Sequence, residues 1–302
     1  MSRFRQSTLV SLLIVVTAGT AAAQQPHELK VVATGAELKQ VSKQFAFSEG
    51  PAVNKEGDIY FTDQPNDKIW KYDTKGKLTL FMDKTGRSNG LYFDLKGNLI
   101  SCADEKDELW SISPNKKITV LLSNFEGKRL NGPNDLWVDP KGGIYFTDPF
   151  YPRDYWDRKE PEIPGQKVYY LPRGKKQPLI VEDSIVKPNG IVGTPDGKYL
   201  YVADIQADKT YRYKIDAHGA LTDRELFAPQ GSDGMTLDNE GNVYLTGNGV
   251  TVYDVNGHKL GNIPVPSHWT GNVCFGGTER NILFITASES IYTLQMNVRG
   301  IE

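Results

Sequence analysis

The sequence predicts an all-β chain folded as a single six-bladed β-propeller. A segment recurs six times, its spacing is that of a propeller blade, and short strand-like runs alternate with Gly-containing turns. The copies begin SEGPAV at Ser48, SNGLYF at Ser88, PNDLWV at Pro133, PNGIVG at Pro188, SDGMTL at Ser232 and GNVCFG at Gly271. Each continues through a turn into DIYFTD, NLISCAD, GIYFTDP, KYLYVAD, NVYLTG or ILFITA. The residues in register are Glu49, Asn89, Asn134, Asn189, Asp233 and Asn272, spaced 40, 45, 55, 44 and 39 apart. No helical periodicity appears beyond the N-terminal apolar segment.

That N-terminal segment stands outside the repeats. Arg3 and Arg5 precede an apolar run from Thr8 to Val16, and Ala21-Ala22-Ala23 follows. A basic start, a short apolar stretch and small residues are the pattern of a cleavable signal peptide over residues 1–23. The expectation is a periplasmic or secreted protein whose one domain, residues 24–302, is divided among six repeats of about 46 residues. The apolar run is too short to span a bilayer as a helix. Cleavage would shift the formal charge from −2 to −4 by removing Arg3 and Arg5. With no basic stripe, neither nucleic acid nor a membrane surface is expected as a partner.

Within each repeat the order reads strand, turn, strand, loop, strand, turn, strand. In the first, Pro51 to Val53 starts the inner strand, Lys55 to Asp58 turns, and Ile59 to Thr62 returns. Ile69 to Tyr72 and Leu78 to Met82 form the outer pair about a second Gly-containing turn at Gly76. Such β-branched and aromatic runs between Asp/Asn/Lys-Gly turns are hairpin sequence. The last repeat offers three strands, Asn272 to Phe275, Ile282 to Thr286 and Ser290 to Gln295. The segment before Glu49 belongs to no repeat, so an N-terminal strand is expected to complete the sixth blade and close the ring. The long 55-residue spacing reflects an insertion, residues 149–166, between the second and third strands of repeat three. Rich in Phe150, Tyr151, Tyr155 and Trp156, it is expected to arch over the register residues as a lid or pocket wall. Cys102 and Cys274 lie on different strands of their repeats and are expected to be buried, unpaired thiols.

If the inner strands start at one height, Glu49, Asn134, Asn189 and Asp233 bring carboxylate and amide oxygens to a common axis. Hard oxygen donors suit calcium or magnesium, whereas zinc usually recruits His or Cys. Repeated Asn-Gly and Asp-Gly steps also fix turns without any ion. Glu49 is the member that turn chemistry explains least.

The segments FSEGPAV, NGPNDLWVDPKGGIYFTDP, KPNGI, PDGKYLYVAD, GSDGM and NVCFGG resemble the gluconolactonase/regucalcin family over residues 45–295. The resemblance implies a six-bladed propeller that hydrolyses lactones with one divalent ion in its central tunnel. Glu49, Asn189 and Asp233 fall at the family's ligand positions, and Asn134 where a residue touches the ion or the substrate. Calcium is the first candidate, magnesium and zinc the others. The ion would polarise the lactone carbonyl, with Asp233 as general base and a sugar-derived small-molecule lactone as substrate. Asn134, Asn89, Asn272 and Asp148 are candidate substrate-binding residues, Asp148 because it borders the insertion. Where the animal branch carries an Arg two positions before the blade-three Asn, this chain has Gly132. Two other readings remain open at this stage: a phosphotriester or ester hydrolase using the same ion, and a non-catalytic binding propeller.

Overall fold

The computed structural model describes residues 29–302 together with Met1, so the expected signal peptide lies, Met1 apart, outside the described residues. The chain forms six four-stranded antiparallel sheets. Blade one comprises Ser48–Val53, Ile59–Asp63, Lys68–Tyr72 and Leu78–Asp83. Its boundaries fall within a few residues of those the turn residues predict. The first strands pack side by side in a closed ring, blade six returning to blade one. Among the described residues the only helical element is a 3-10 turn at Gln64–Asn66.

Six of the hairpins are closed by the same side chain, and others by Asn54, Ser113 or Thr194 at the matching position. Asp73, Asp94, Asp139, Asp216, Asp238 and Asp254 each accept backbone N–H groups two and four residues ahead, which closes the turn. An Asp at this position replaces strand hydrogen bonds that the reversing chain has to give up. A glycine in the left-handed region follows in several of them, such as Gly97 with φ 81°.

Blade six is closed as the sequence predicts. Lys39–Lys43 pairs antiparallel with Ser290–Gln295, and Val32 bridges Met296 just upstream. The core lies between blades rather than inside any one of them. Trp137 and Tyr145 of blade three, Val202 and Tyr213 of blade four, and Leu237 and Leu245 of blade five form one buried cluster. Burial of this kind makes each blade depend on its neighbours. Both cysteines are free and buried.

The insertion spans from Ile144–Asp148 to Lys167–Leu171 and is packed down. Trp156, Arg158 and Ile163 are buried. Its fastening point is Asp104 in blade two, whose Oδ2 accepts Arg153 Nε at 3.0 Å and the Tyr155 hydroxyl, while Trp156 Nε1 donates to the Asp104 carbonyl at 2.8 Å. Arg158 meets Asp107 at 2.8 Å beneath it. A loop so anchored is a fixed wall.

Candidate functional site

Five of the six register residues, Glu49, Asn89, Asn134, Asn189 and Asp233, line one cavity of about 520 Å³ at the mouth of the ring. Gln64 and Ile205, from loops between second and third strands, and Tyr151 and Arg153 of the insertion complete its rim. Such convergence requires the inner strands to crowd together. A Cβ at Gly90 would stand 2.6 Å from the Asn134 carbonyl oxygen, so glycine after Asn89 lets blades two and three approach.

Asp233 is half-buried and gripped on both oxygens. Asn189 Nδ2 donates to Oδ1 at 2.8 Å and Trp269 Nε1 to Oδ2 at 2.6 Å. Asn189 Nδ2 also reaches the Tyr151 hydroxyl at 3.1 Å. Glu49 Oε2 accepts the Gly50 N–H at 2.7 Å. Burial raises Glu49 well above the usual carboxylate range, and the nearby charges of Asp233 and Asp135 raise it further. Burial also raises Asp233, against the opposing pull of Trp269, Asn189 and Arg153. Asp135 is pushed up to about 7 by burial. Three carboxylates thus share one poorly hydrated tunnel, an arrangement that favours either protons or a cation.

The donor set fits a divalent ion. Asn189 Oδ1 is buried without a hydrogen-bond partner, an uncommon condition for an amide oxygen. Its residue lines one cavity with the carboxylates of Glu49 and Asp233, and the ligand atoms these side chains offer are oxygens. Among the described residues no three His, Cys, Asp or Glu side chains are grouped to hold a metal, so amide oxygens would have to share the coordination.

Two sequence expectations change here. Asp148 is fully buried and does not line the cavity; its Oδ2 and Oδ1 accept the Asn131 and Gly132 N–H groups at 2.9 and 2.8 Å. Asp63 and Asp204 hold the loops entering blades one and four in the same way. Asp148 is therefore a loop anchor and not a substrate contact, because an entering loop needs its backbone donors satisfied. Asn272 also stays out of the cavity lining. Its amide favours the charged forms of Glu49 and Asp135, which places it among the tunnel carboxylates.

Sequence reasoning missed Asp135 and Trp269. Asp135 had a signal: blades one, two, four and five carry glycine after the register residue, and blade three carries Asp135. Trp269, just before the sixth repeat, had none, since its partner Asp233 belongs to another blade.

A second, larger cavity of about 780 Å³ opens on the opposite face, among the hairpin turns at Asn54, Asp94 and Pro140. None of the register residues lines it, and its wall includes Tyr60, Phe81 and Trp137. The smaller mouth carries the convergent polar groups and is the better candidate for chemistry.

Comparison with known proteins agrees with that choice of fold and family. The model of the SMP-30/Gluconolactonase/LRE-like region matches residues 47–289. A gluconolactonase from Zymomonas mobilis is 27% identical over 295 residues, covering 87% of this chain and 82% of the relative. A pentonolactonase from Haloferax volcanii is 34% identical over 250 residues, covering 80% and 81%. Among solved structures, a gluconolactonase from Xanthomonas campestris superposes with a TM-score of 0.83 at 28% identity, covering 90% of this chain and 93% of that one.

Proposed function

The chain belongs to the SMP-30/Gluconolactonase/LRE-like family, and from that premise we propose that it is a lactone hydrolase whose active site is the mouth around Asn189 and Asp233. The observation that carries the reading is the partnerless Asn189 Oδ1, on a residue that lines one cavity with the Glu49 and Asp233 carboxylates. Glu49, Asn134, Asn189 and Asp233 are the residues that would hold a divalent ion, and their oxygen donors favour calcium. Bound there, the ion would supply Lewis-acid polarisation of the lactone carbonyl.

The remaining roles belong to the chain itself. Asp233 is aimed by Asn189 and Trp269, whose N–H groups work against the burial that raises it and hold its carboxyl in place to take a proton from water. Asn134 and Asn89 present amide groups to the cavity and orient a polyhydroxylated ring. Tyr151 lines the same cavity and its hydroxyl accepts from Asn189 Nδ2, which fixes the Asn189 amide. The substrate class is a sugar-derived lactone, as for the gluconolactonase and pentonolactonase relatives. The Arg3–Ala23 pattern supports action outside the cytoplasm, which fractionation of the native host would check.

Hydrolysis of glucono-1,5-lactone, followed by acid release, tests the reading. Glu49→Ala and Asp233→Ala are expected to lower kcat/KM by a factor of about 10³ or more while circular dichroism stays that of the wild type. Chelation should abolish turnover and added calcium restore it. Full turnover in either variant would remove the assigned residue from the mechanism.

A further inference from the structure

Arg153 is the one Lys or Arg lining the mouth cavity among the described residues. Its guanidinium is held from one side. Nε donates to Asp104 Oδ2 at 3.0 Å, and Asp104 is itself buried and also takes the Tyr155 hydroxyl and the Gln64 amide. The two Nη groups have no protein acceptor among the described residues. A second cation, Lys187, shares the Tyr151 ring with it from just outside the cavity lining. Lys187 Nζ lies 4.1 Å from the centroid of the Tyr151 ring, and the Arg153 guanidinium lies 5.7 Å from the same ring. Lys187 forms no ion pair among the described residues.

Resting on the lactonase reading, we propose that Arg153 and Lys187 form a recognition site for lactones carrying an anionic group, such as a carboxylate, sulfonate or phosphate, remote from the ring carbonyl. Locking Nε on Asp104 leaves the two Nη groups as a planar pair of donors, which matches the paired oxygens of such groups. Because Asp104 already neutralises Arg153, a polyol would satisfy that guanidinium as well as an anion would. The unpaired charge of Lys187 is what tips the site towards an anion. Tyr151 sets the separation: its hydroxyl meets Asn189 at 3.1 Å while its ring faces both cations. The anionic group and the scissile carbonyl would therefore lie at opposite ends of one tyrosine side chain, a spacing suited to the two ends of a sugar lactone. The insertion supplies Arg153 and Tyr151, and this gives it a part in selectivity beyond forming a wall.

The test compares kcat/KM for glucono-lactone with its 6-carboxylate, 6-sulfonate and 6-phosphate counterparts, in the wild type, Lys187→Gln and Arg153→Gln. The wild type is expected to favour at least one anionic lactone by about tenfold, and each variant to lose most of that ratio through KM. Raising the salt concentration should shrink the preference in the wild type and leave it unchanged in Lys187→Gln. The order among the three anions identifies which source the site prefers. A wild type that favours the neutral lactone, or variants that keep the ratio, would overturn the proposal. Calorimetry with glucuronate against glucose separates this idea from the lactonase reading. If no lactone is opened, yet glucuronate binds the wild type about tenfold better than Lys187→Gln, anion recognition stands and the lactonase reading falls. Equal binding of both sugars by both proteins sinks the anion site alone.

Discussion

Asp104 and Asp148 stand at equivalent strand ends in blades two and three, and their partners give them different tasks. Asp148 turns both oxygens to the backbone of the loop entering its own blade, whereas Asp104 turns one oxygen to the insertion of the next blade. Asp148→Ala would orphan two buried N–H groups, so the cost should be on the order of 2–4 kcal/mol in urea unfolding. KM for a lactone is expected to stay near that of the wild type; a large KM rise with unchanged stability would restore Asp148 as a substrate contact. The positions of Glu49, Asn134, Asn189 and Asp233 were legible because each repeat carries them at one offset, and the fold converts an offset into a place around the ring. Asp135 was legible in principle from the broken column of glycines. Trp269 was not, because the partner that gives it meaning lies 36 residues away in another blade.

Among elements, the strands were legible nearly to the residue, since Asp and Gly at the hairpins mark where each must stop. The insertion was legible as an element that must exist, but its anchorage was not, since Asp104 lies 49 residues from Arg153 and 51 from Tyr155. A related long-range tie joins blades three and four. Glu182, at the end of Leu179–Glu182, accepts the Tyr213 hydroxyl at 2.6 Å and the Ser184 N–H and hydroxyl at 2.7 Å. Burial works against its charge, but these donors and Arg224 outweigh it and hold its pKa below the ordinary 4.5. The folded protein then binds the proton less readily than the unfolded chain, so the contribution is complete above about pH 5 and is lost as pH falls through the lowered pKa. Thermal midpoints measured between pH 6 and pH 3 should fall less steeply for Glu182→Gln than for the wild type. Parallel curves would show that this tie adds nothing to acid sensitivity.

For the molecule as a whole, the number of blades and the manner of closure could be read from six repeats and a last copy one strand short. What repeats cannot reveal is how tightly the closing segment is held. Phe45, just past the closing strand, is buried edge-on against Phe61 and Trp70 of blade one, and its N–H donates to the Glu289 carbonyl of blade six. The segment therefore bonds to one blade while packing into the next. Deleting residues 28–45 should expose the edge of Ser290–Gln295 and open the ring, giving aggregated or protease-sensitive protein in place of a cooperative thermal transition. A deletion variant that melts cooperatively near the wild-type temperature would show the closure to be dispensable.

The pairing of Lys39 with Thr293 also sets an order of events in time. During synthesis the closing strand emerges early and must wait for almost the entire chain before its neighbour exists. At ordinary elongation rates that wait is roughly 10–50 s. Throughout it a nascent chain can hold five blades with a gap, but not a sealed ring. Sealing is then among the contacts most distant in sequence and a natural slow step in refolding. A circular permutant cut between blades three and four, with the old ends joined, would synthesise both partners of that pair in succession and should seal sooner.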